Sequence, residues 1–513
     1  MKTVDWRTWL AVAVIGLLRC SHYVAQETYS EQYLRRYLDA KEVVFEDICV
    51  QMGTAYWNAY SQEAPSDLET PKQRCRELLS NDTLNMLVSK WCERSTMIRD
   101  SVLMRRVRVW RNILTAARVE MDDEVFDLRN QLELWLTETS GASERPSQEE
   151  LDKMMLQLMK LRNTKAQECG FGNFSEMVLE VTEIGADWFH SFVETIDSAT
   201  AGPYKQLLRT IRQEKNKEEI EYKDIRQLFG VYYVNSQGAQ IPEEKMSVLM
   251  EKAIENIGID FDALNLHLVE QNLPGGVGGQ SVAIRIPTNF RIVVRDELSL
   301  YDRMHELGHG LHCTFTITKY PVLKGYEWCI GNDCGAYSEG IAETIAKFVC
   351  NGAWQREYTD LSGEDLATQE DIVTAYLPVY LRFLLARSMI EIELYKDPEQ
   401  NYLELWERVH KKYLFLDKPI GRSEPFTNII YVSYPIYVQN YLIAEIMSWQ
   451  IHRVLQDRYG ANYVFDKKVG EYLKDGFCAE GEFYPWKTRL KRATGKELDV
   501  DGYLSSMVSR SGR

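Results

Sequence analysis

The chain has 513 residues, and 45% of them are hydrophobic, which is enough to build a large buried core. Its 60 basic and 76 acidic residues give a net charge of −16, and an acidic surface repels phosphate backbones, so we expect no nucleic-acid partner. Glycine and proline are sparse, and no repeat or low-complexity tract marks a linker. Residues 26–513 are therefore expected to form a single domain, with two helical lobes around a cleft.

The N-terminus has the features of an export signal. Lys2 and Arg7 precede an apolar run over residues 9–18, which is too short to span a bilayer. Residues 1–25 are predicted to be a signal peptide or, alternatively, a lipoprotein signal with the lipid on Cys20. We expect an exported protein, either secreted or periplasmic, with no integral membrane segment once the signal has been removed.

Ten cysteines are present, and no spacing among them is typical of a zinc finger. In an oxidising compartment, Cys329 and Cys334 are the expected disulfide pair, because they flank the turn-like residues 331–333. Most of the other cysteines are expected to be buried, inert thiols.

The first part of the chain is predicted to be helical. Over residues 29–229, apolar side chains recur at spacings of three and four, with charges between them. A short β-strand is predicted over residues 231–234, and Pro242 is predicted to start a helix that runs to about residue 257.

A small sheet is predicted in the middle of the chain. Residues 281–286 and 290–295 alternate apolar and polar side chains around a turn, which indicates a hairpin. The glycine-rich residues 274–279 before it are interpreted as a connector, with a mobile flap as the alternative. A helix is predicted from near Glu297, and helices again from residue 366 onwards. The fold class is therefore mainly α, with one small sheet beside the motif helix.

The motif on that helix is His305-Glu306-Leu307-Gly308-His309. Residues at i and i+4 share a helix face, so both imidazoles are able to bind one metal ion, with Glu306 beside it as the base for a water. A catalytic zinc needs a third protein ligand and one open position, and we assign Glu339 as that ligand. Glu343 is expected to accept the N–H of a bound imidazole, and the swapped assignment of the two glutamates stays open. We predict one Zn²⁺ per chain.

Residues 431–441 are dense in tyrosines, and their phenols are candidates for stabilising an oxyanion. By itself this pattern favours aromatic core packing over a role in catalysis.

Several features together are similar to one known family. They are the motif with its two downstream glutamates, the tyrosine-rich segment, residues 449–452, and the C-terminal residues Pro485, Trp486, Thr494 and Gly495. In these features the chain resembles the angiotensin-converting-enzyme family of zinc peptidases (gluzincins) and the related thimet-oligopeptidase-like enzymes. The resemblance implies a large helical fold with a deep central channel that admits short peptides.

The resemblance also implies roles for further residues. Tyr441 matches the tyrosine that hydrogen-bonds the oxyanion in the transition state, with Tyr437 or Tyr434 assisting. The strand at Val282, Ala283 and Ile284 is implied to pair with the substrate backbone.

The chain departs from the family at three positions. Tyr431 stands near the place of a histidine, Asn440 replaces the chloride-binding arginine, and the lysine that clamps the substrate carboxylate has no clear counterpart. We therefore expect zinc-dependent hydrolysis of short peptides, by a peptidyl-dipeptidase or an oligopeptidase, without chloride dependence. The alternatives are a zinc carboxypeptidase and a catalytically silent peptide-binding protein.

Overall fold

The computed structural model describes residues 30–510, except residues 138–145, 265, 272, 274–277, 296, 417–419 and 421–428. This part of the chain contains twenty α-helices and one three-stranded sheet, which confirms the mainly α fold class. The predicted signal over residues 1–25, with Cys20, and most of the glycine-rich segment lie outside the described residues.

Ten described helices precede the sheet and build the N-terminal half. They are α1 (Glu31–Ser61), α2 (Glu69–Leu79), α3 (Asp82–Glu93), α4 (Ser101–Glu120), α5 (Asp123–Thr137), α6 (Gln148–Glu168), α7 (Phe174–Val181), α8 (Ala186–Glu214), α9 (Tyr222–Ser236) and α10 (Glu243–Asn256). The predicted strand over residues 231–234 is wrong, because these residues lie inside α9. Ile225, Leu228 and Tyr232 are buried at helical spacing, and this longer stripe outweighs a local run of β-branched residues.

The sheet consists of β1 (His267–Glu270), β2 (Gly279–Arg285) and β3 (Asn289–Val294). β3 is central, antiparallel to β2 and parallel to β1, so β2 is an edge strand. The predicted hairpin is confirmed, whereas β1 was not predicted from the sequence.

Ten more described helices follow the sheet. They are α11 (Leu300–Phe315), α12 (Gly335–Ala346), α13 (Gly352–Tyr358), α14 (Gly363–Lys396), α15 (Tyr402–Leu414), α16 (Ile429–Ser433), α17 (Gln439–Tyr459), α18 (Lys468–Leu473), α19 (Trp486–Thr494) and α20 (Val500–Arg510). The motif helix α11 begins at the N-cap Ser299, whose side chain accepts a hydrogen bond from the Asp302 N–H.

The sheet separates two parts of the hydrophobic core. One face, with Phe290 and Ile292, packs into the large cluster that also holds Leu307 of α11. The opposite face, with Val282, packs on Trp57 of α1. A separate cluster joins the four helices α1, α2, α3 and α4 and includes side chains from residues 322–329, which follow α11. We call these four helices with residues 322–329 the N-terminal layer. The sheet is therefore held between the motif helix and the N-terminal layer.

The expected disulfide between Cys329 and Cys334 is not formed, because the two side chains enter different clusters. Cys329 is buried in the N-terminal layer, and Cys334 is buried in the large cluster at the start of α12. The Cys329 Sγ atom instead lies 3.7 Å from that of Cys75 on α2.

One described helix, α14, is long and apolar enough to cross a membrane by length and composition, although the sequence analysis expected none after the signal. Half of its most apolar stretch is buried in the protein. Arg382 in this helix is fully buried and forms a 2.7 Å ion pair with Asp197. Core helices pass the same test of length and composition, so that test alone is weak evidence for a membrane span.

Candidate metal centre and catalytic cavity

Two histidines of α11 face one carboxylate of α12. The Oε2 atom of Glu339 lies 3.2 Å from Nε2 of His305 and 3.7 Å from Nε2 of His309. The three potential ligand atoms all lie within 4.8 Å of one another. The structure therefore brings together the three residues that the sequence analysis assigned as metal ligands.

The outer nitrogens of both imidazoles already have partners. Nδ1 of His305 lies 3.3 Å from Oε2 of Glu343, and Nδ1 of His309 lies 3.0 Å from the Ser338 hydroxyl. Both Nε2 atoms are left directed toward Glu339, and because the Glu343 carboxylate accepts, it favours the proton of His305 on Nδ1, the tautomer that a metal ligand needs. Glu343 thus occupies the outer position expected for it, and the swapped assignment does not fit this geometry.

Tyr301 and Ser338 were not identified from the sequence. The Tyr301 hydroxyl donates a hydrogen bond to Oε1 of Glu343, and Ser338 directly precedes Glu339. The signal for Tyr301 was its spacing, since it lies one turn before His305 on the same helix face.

The donor set fits a zinc ion. Glu339 is only 3% exposed, and its Oε2 atom has no hydrogen-bond partner among the described residues. Burial alone would raise the pKa of Glu339, but the neighbouring imidazoles of His309 and His305 hold it below its usual range, so the group is a carboxylate. Two imidazole nitrogens and one carboxylate oxygen form the ligand set of an open, three-ligand zinc site.

Glu306 lies beside this group and against the edge strand. A Cβ atom placed on Gly279 of β2 would come within 2.9 Å of both Cγ and Oε1 of Glu306, so a side chain at this position would displace the Glu306 side chain. Burial raises the pKa of Glu306, and His305 and His309 partly offset the rise. A raised pKa makes a carboxylate a stronger base, which suits a group that accepts a proton from water.

The two candidate tyrosines occupy different positions. The Tyr437 hydroxyl donates a 2.6 Å hydrogen bond to Oε1 of Glu339, so it holds the third ligand rather than standing free for an oxyanion. The Tyr441 ring lies 5.7 Å from that of Tyr437 and lines the cavity described below. Burial and the charges of Glu339 and Glu306 raise the pKa of Tyr441, so its phenol keeps its proton.

The candidate site opens into a cavity of 710 Å³ between the N-terminal layer and the metal-binding helices. This cavity agrees with the deep central channel of the expected fold. Glu327 and Asp333 face it, and burial together with neighbouring carboxylates raises the pKa of Glu327 to about 8 and that of Asp333 to about 7. Aromatic side chains complete much of the wall: Tyr56, Tyr60, Trp328 and Tyr434.

The strand residues expected to bind substrate are placed less favourably. Val282 and Ile284 are buried in the core, and of the three only Ala283 lines the cavity. Helix α1 lies directly against this stretch, because a Cβ on Gly53 would come within 2.6 Å of the Ala283 carbonyl oxygen. The part of β2 that lines the cavity beside Glu306 is residues 279–281.

Comparisons with solved structures agree on the fold. A carboxypeptidase of Pyrococcus furiosus is 15% identical with a TM-score of 0.65, covering 94% of this chain and 100% of that one. Metallocarboxypeptidase 1 of Trypanosoma cruzi is 15% identical with a TM-score of 0.63, covering 93% and 99%. PZ peptidase A is 15% identical with a TM-score of 0.64, covering 94% and 97%.

No protein-family model and no curated protein matches this sequence. The similarity to the three solved structures shows that the chain has the overall fold of large helical metallopeptidases.

Proposed function

We propose that the protein hydrolyses peptide bonds in short peptides, using one zinc ion held by His305, His309 and Glu339. The observation that carries this proposal is the convergence of the three ligand atoms within 4.8 Å, with Glu306 alongside, at the wall of a deep cavity. The fold shared with known metallopeptidases supports the same reaction class.

The chemistry divides between the ion and the side chains around it. When bound, zinc acts as a Lewis acid that makes a water more acidic and polarises the scissile carbonyl. Glu306 accepts the proton of the attacking water and delivers it to the leaving amine. Tyr441 keeps its own proton and donates a hydrogen bond to the carbonyl oxygen as negative charge develops there. Tyr437 keeps Glu339 oriented throughout.

The cavity supports short peptides as substrates. A volume of 710 Å³ is sufficient for a few residues in an extended conformation and excludes folded domains. We expect residues 279–281 of β2, rather than Val282 to Ile284, to pair with the substrate backbone, because they line the cavity beside Glu306.

The charges of the cavity wall favour an oligopeptidase. A carboxypeptidase needs an available cation for the C-terminal carboxylate of its substrate. In the described part of the wall each cation already has a carboxylate partner: Lys72 pairs with Glu133 at 2.7 Å, Arg129 with Glu120 at 2.8 Å, and Lys324 with Glu46 at 2.5 Å. Zinc carboxypeptidase activity is the second candidate, since two of the similar structures are carboxypeptidases.

The test combines metal analysis with a map of cut sites. The purified protein is loaded with one equivalent of zinc and incubated with an unbiased mixture of peptides of graded length, and the products are identified by mass spectrometry. Internal cuts support the oligopeptidase, loss of C-terminal dipeptides the peptidyl-dipeptidase, and loss of single C-terminal residues the carboxypeptidase. Glu306→Gln is the matched control, because it leaves the three ligands in place. Tight zinc binding without turnover would indicate a peptide-binding protein instead.

A further inference from the structure

Two cysteines that are distant in sequence meet inside the N-terminal layer. The Sγ atoms of Cys75 and Cys329 lie 3.7 Å apart, although 254 positions separate the two residues in the chain. Cys75 is on α2, and Cys329 lies in the segment that joins α11 to α12. Both side chains are buried, at 2% and 5% exposure, so packing fixes their positions.

The pair can be reached from the cavity. Cys329 lines the main cavity, and Cys75 lines a small adjoining pocket of 60 Å³. Trp328 and Tyr434 belong to the walls of both, so the two spaces are neighbours. Cys329 is therefore the member of the pair that lies at the wall of the main cavity, where a small disulfide reagent would enter.

The segment that contains Cys329 determines which parts of the structure a bond to Cys75 would hold together. The chain between α11 and α12 connects the helix that carries His305 and His309 to the helix that carries Glu339. The same segment supplies Glu327 and Trp328 to the cavity wall. A covalent bond at Cys329 would therefore anchor the connection between the two ligand-bearing helices to α2.

We propose that Cys75 and Cys329 form a disulfide that ties α2 to the segment between the two metal-binding helices. A disulfide requires sulfurs about 2.05 Å apart, and these two thiols are already in van der Waals contact at 3.7 Å. The bridge closes a very long loop of the unfolded chain, which is the arrangement with the largest expected stabilisation.

The oxidant is a low-molecular-weight disulfide. One of the two cysteines, as its thiolate, attacks one sulfur of the reagent, which breaks its S–S bond and releases one thiol molecule. The thiolate of the other cysteine then attacks the protein sulfur of this mixed disulfide and releases the second. One reagent disulfide is reduced to two thiols, two protein thiols are oxidised to one disulfide, and the two protons are carried away by the released thiols.

The experiment uses the full chain, fully reduced and then treated with 2-hydroxyethyl disulfide. The expected result is the loss of two free thiols and, in a non-reducing digest, one linked peptide pair that contains Cys75 and Cys329. The thermal midpoint of the oxidised protein should rise by about 2–4 °C over that of the reduced protein. Reduction with dithiothreitol should return the midpoint to its starting value.

Two variants make the result specific. Cys75→Ser should abolish both the linked peptide pair and the thermal shift. Cys334→Ala should keep both, whereas a bridge between Cys329 and Cys334 would be lost in this variant. If Cys75→Ser does not fold, the peptide map of the unsubstituted protein decides alone. A map that links Cys329 to Cys334, links Cys75 to Cys49, or contains only mixed disulfides would overturn the proposal.

Discussion

Replacing Tyr437 by phenylalanine should weaken zinc binding, because this phenol holds the third ligand. Its hydroxyl donates a 2.6 Å hydrogen bond to Oε1 of Glu339, while Oε2 has no hydrogen-bond partner among the described residues and faces the imidazoles. A hydrogen bond to a charged group contributes about 1.5–3 kcal/mol. Part of that energy orients the ligand, so we expect zinc affinity to fall about 10- to 100-fold, the range typical of such outer contacts.

The assay is a competition titration of zinc against a chromophoric chelator at constant pH, followed by kinetics at saturating zinc. In Tyr437→Phe, most of kcat should return once the site has been refilled. Tyr441→Phe is the matched control, since it removes a phenol from the same helical region without touching Glu339. It should bind zinc as the unsubstituted protein does, yet lose about 10²-fold or more in kcat, as expected for one oxyanion donor.

The opposite pattern would refute this assignment. If Tyr437→Phe kept its full zinc affinity and lost kcat as severely as Tyr441→Phe, its phenol would act on the reacting atoms and would not position the ligand.

Three further substitutions test other parts of the site. Glu306→Gln should keep zinc and lose about 10²–10⁴-fold in kcat; loss of metal would mean that the base is misassigned. Gly279→Ala should lower kcat about 10- to 100-fold by displacing the Glu306 carboxylate, with zinc content unchanged by metal analysis; full activity would contradict the close packing. Glu391 accepts the backbone N–H of Ile436 at 2.8 Å, so Glu391→Leu should cost about 1–3 kcal/mol in denaturant unfolding at pH 4.5, where the folded protein holds this carboxyl protonated. Burial raises the pKa of Glu391 from 4.5 to about 8, so its contribution to stability is complete below pH 4.5 and is lost as pH rises to 8. The free energy of unfolding of Glu391→Leu should lack this pH dependence. A profile of unfolding free energy against pH parallel to that of the unsubstituted protein would contradict the role assigned to Glu391.

The convergence of the three candidate metal ligands was predictable because most of their geometry is local. The spacing of His305 and His309 on one helix already determines that both face the same side. Glu339 could be proposed only because Glu339 and Glu343 lie at i and i+4 on a second predicted helix. The sequence left open which of the two faces the histidines, and the structure distinguishes their positions.

Residues that act through tertiary contacts were harder to find. Ser338 bonds His309 from a neighbouring helix, and Gly279 matters because a Cβ there would collide with the Glu306 side chain. Neither contact leaves a periodic signal in the sequence. The resemblance placed Tyr437 near the reaction, but its actual partner depends on how α17 packs against α12.

Two of the errors have the same origin. The β-branched residues 231–234 and the turn-like spacing around Cys329 are local patterns, and in both cases longer-range packing decided the outcome. Burial of Tyr232 against α14 made a helix, and burial of Cys329 under α2 separated it from Cys334.

The position of the sheet between α11 and α1 has a consequence for the temperature range in which the protein works. Helix α1 holds β2 at Ala283, and the same strand supports Glu306 at Gly279. If α1 detaches first on warming, β2 loses its support and the base loses its position while zinc is still bound. Loss of activity should then precede release of the ion. The thermal stability of the activity would depend on α1, a helix that carries none of the metal ligands.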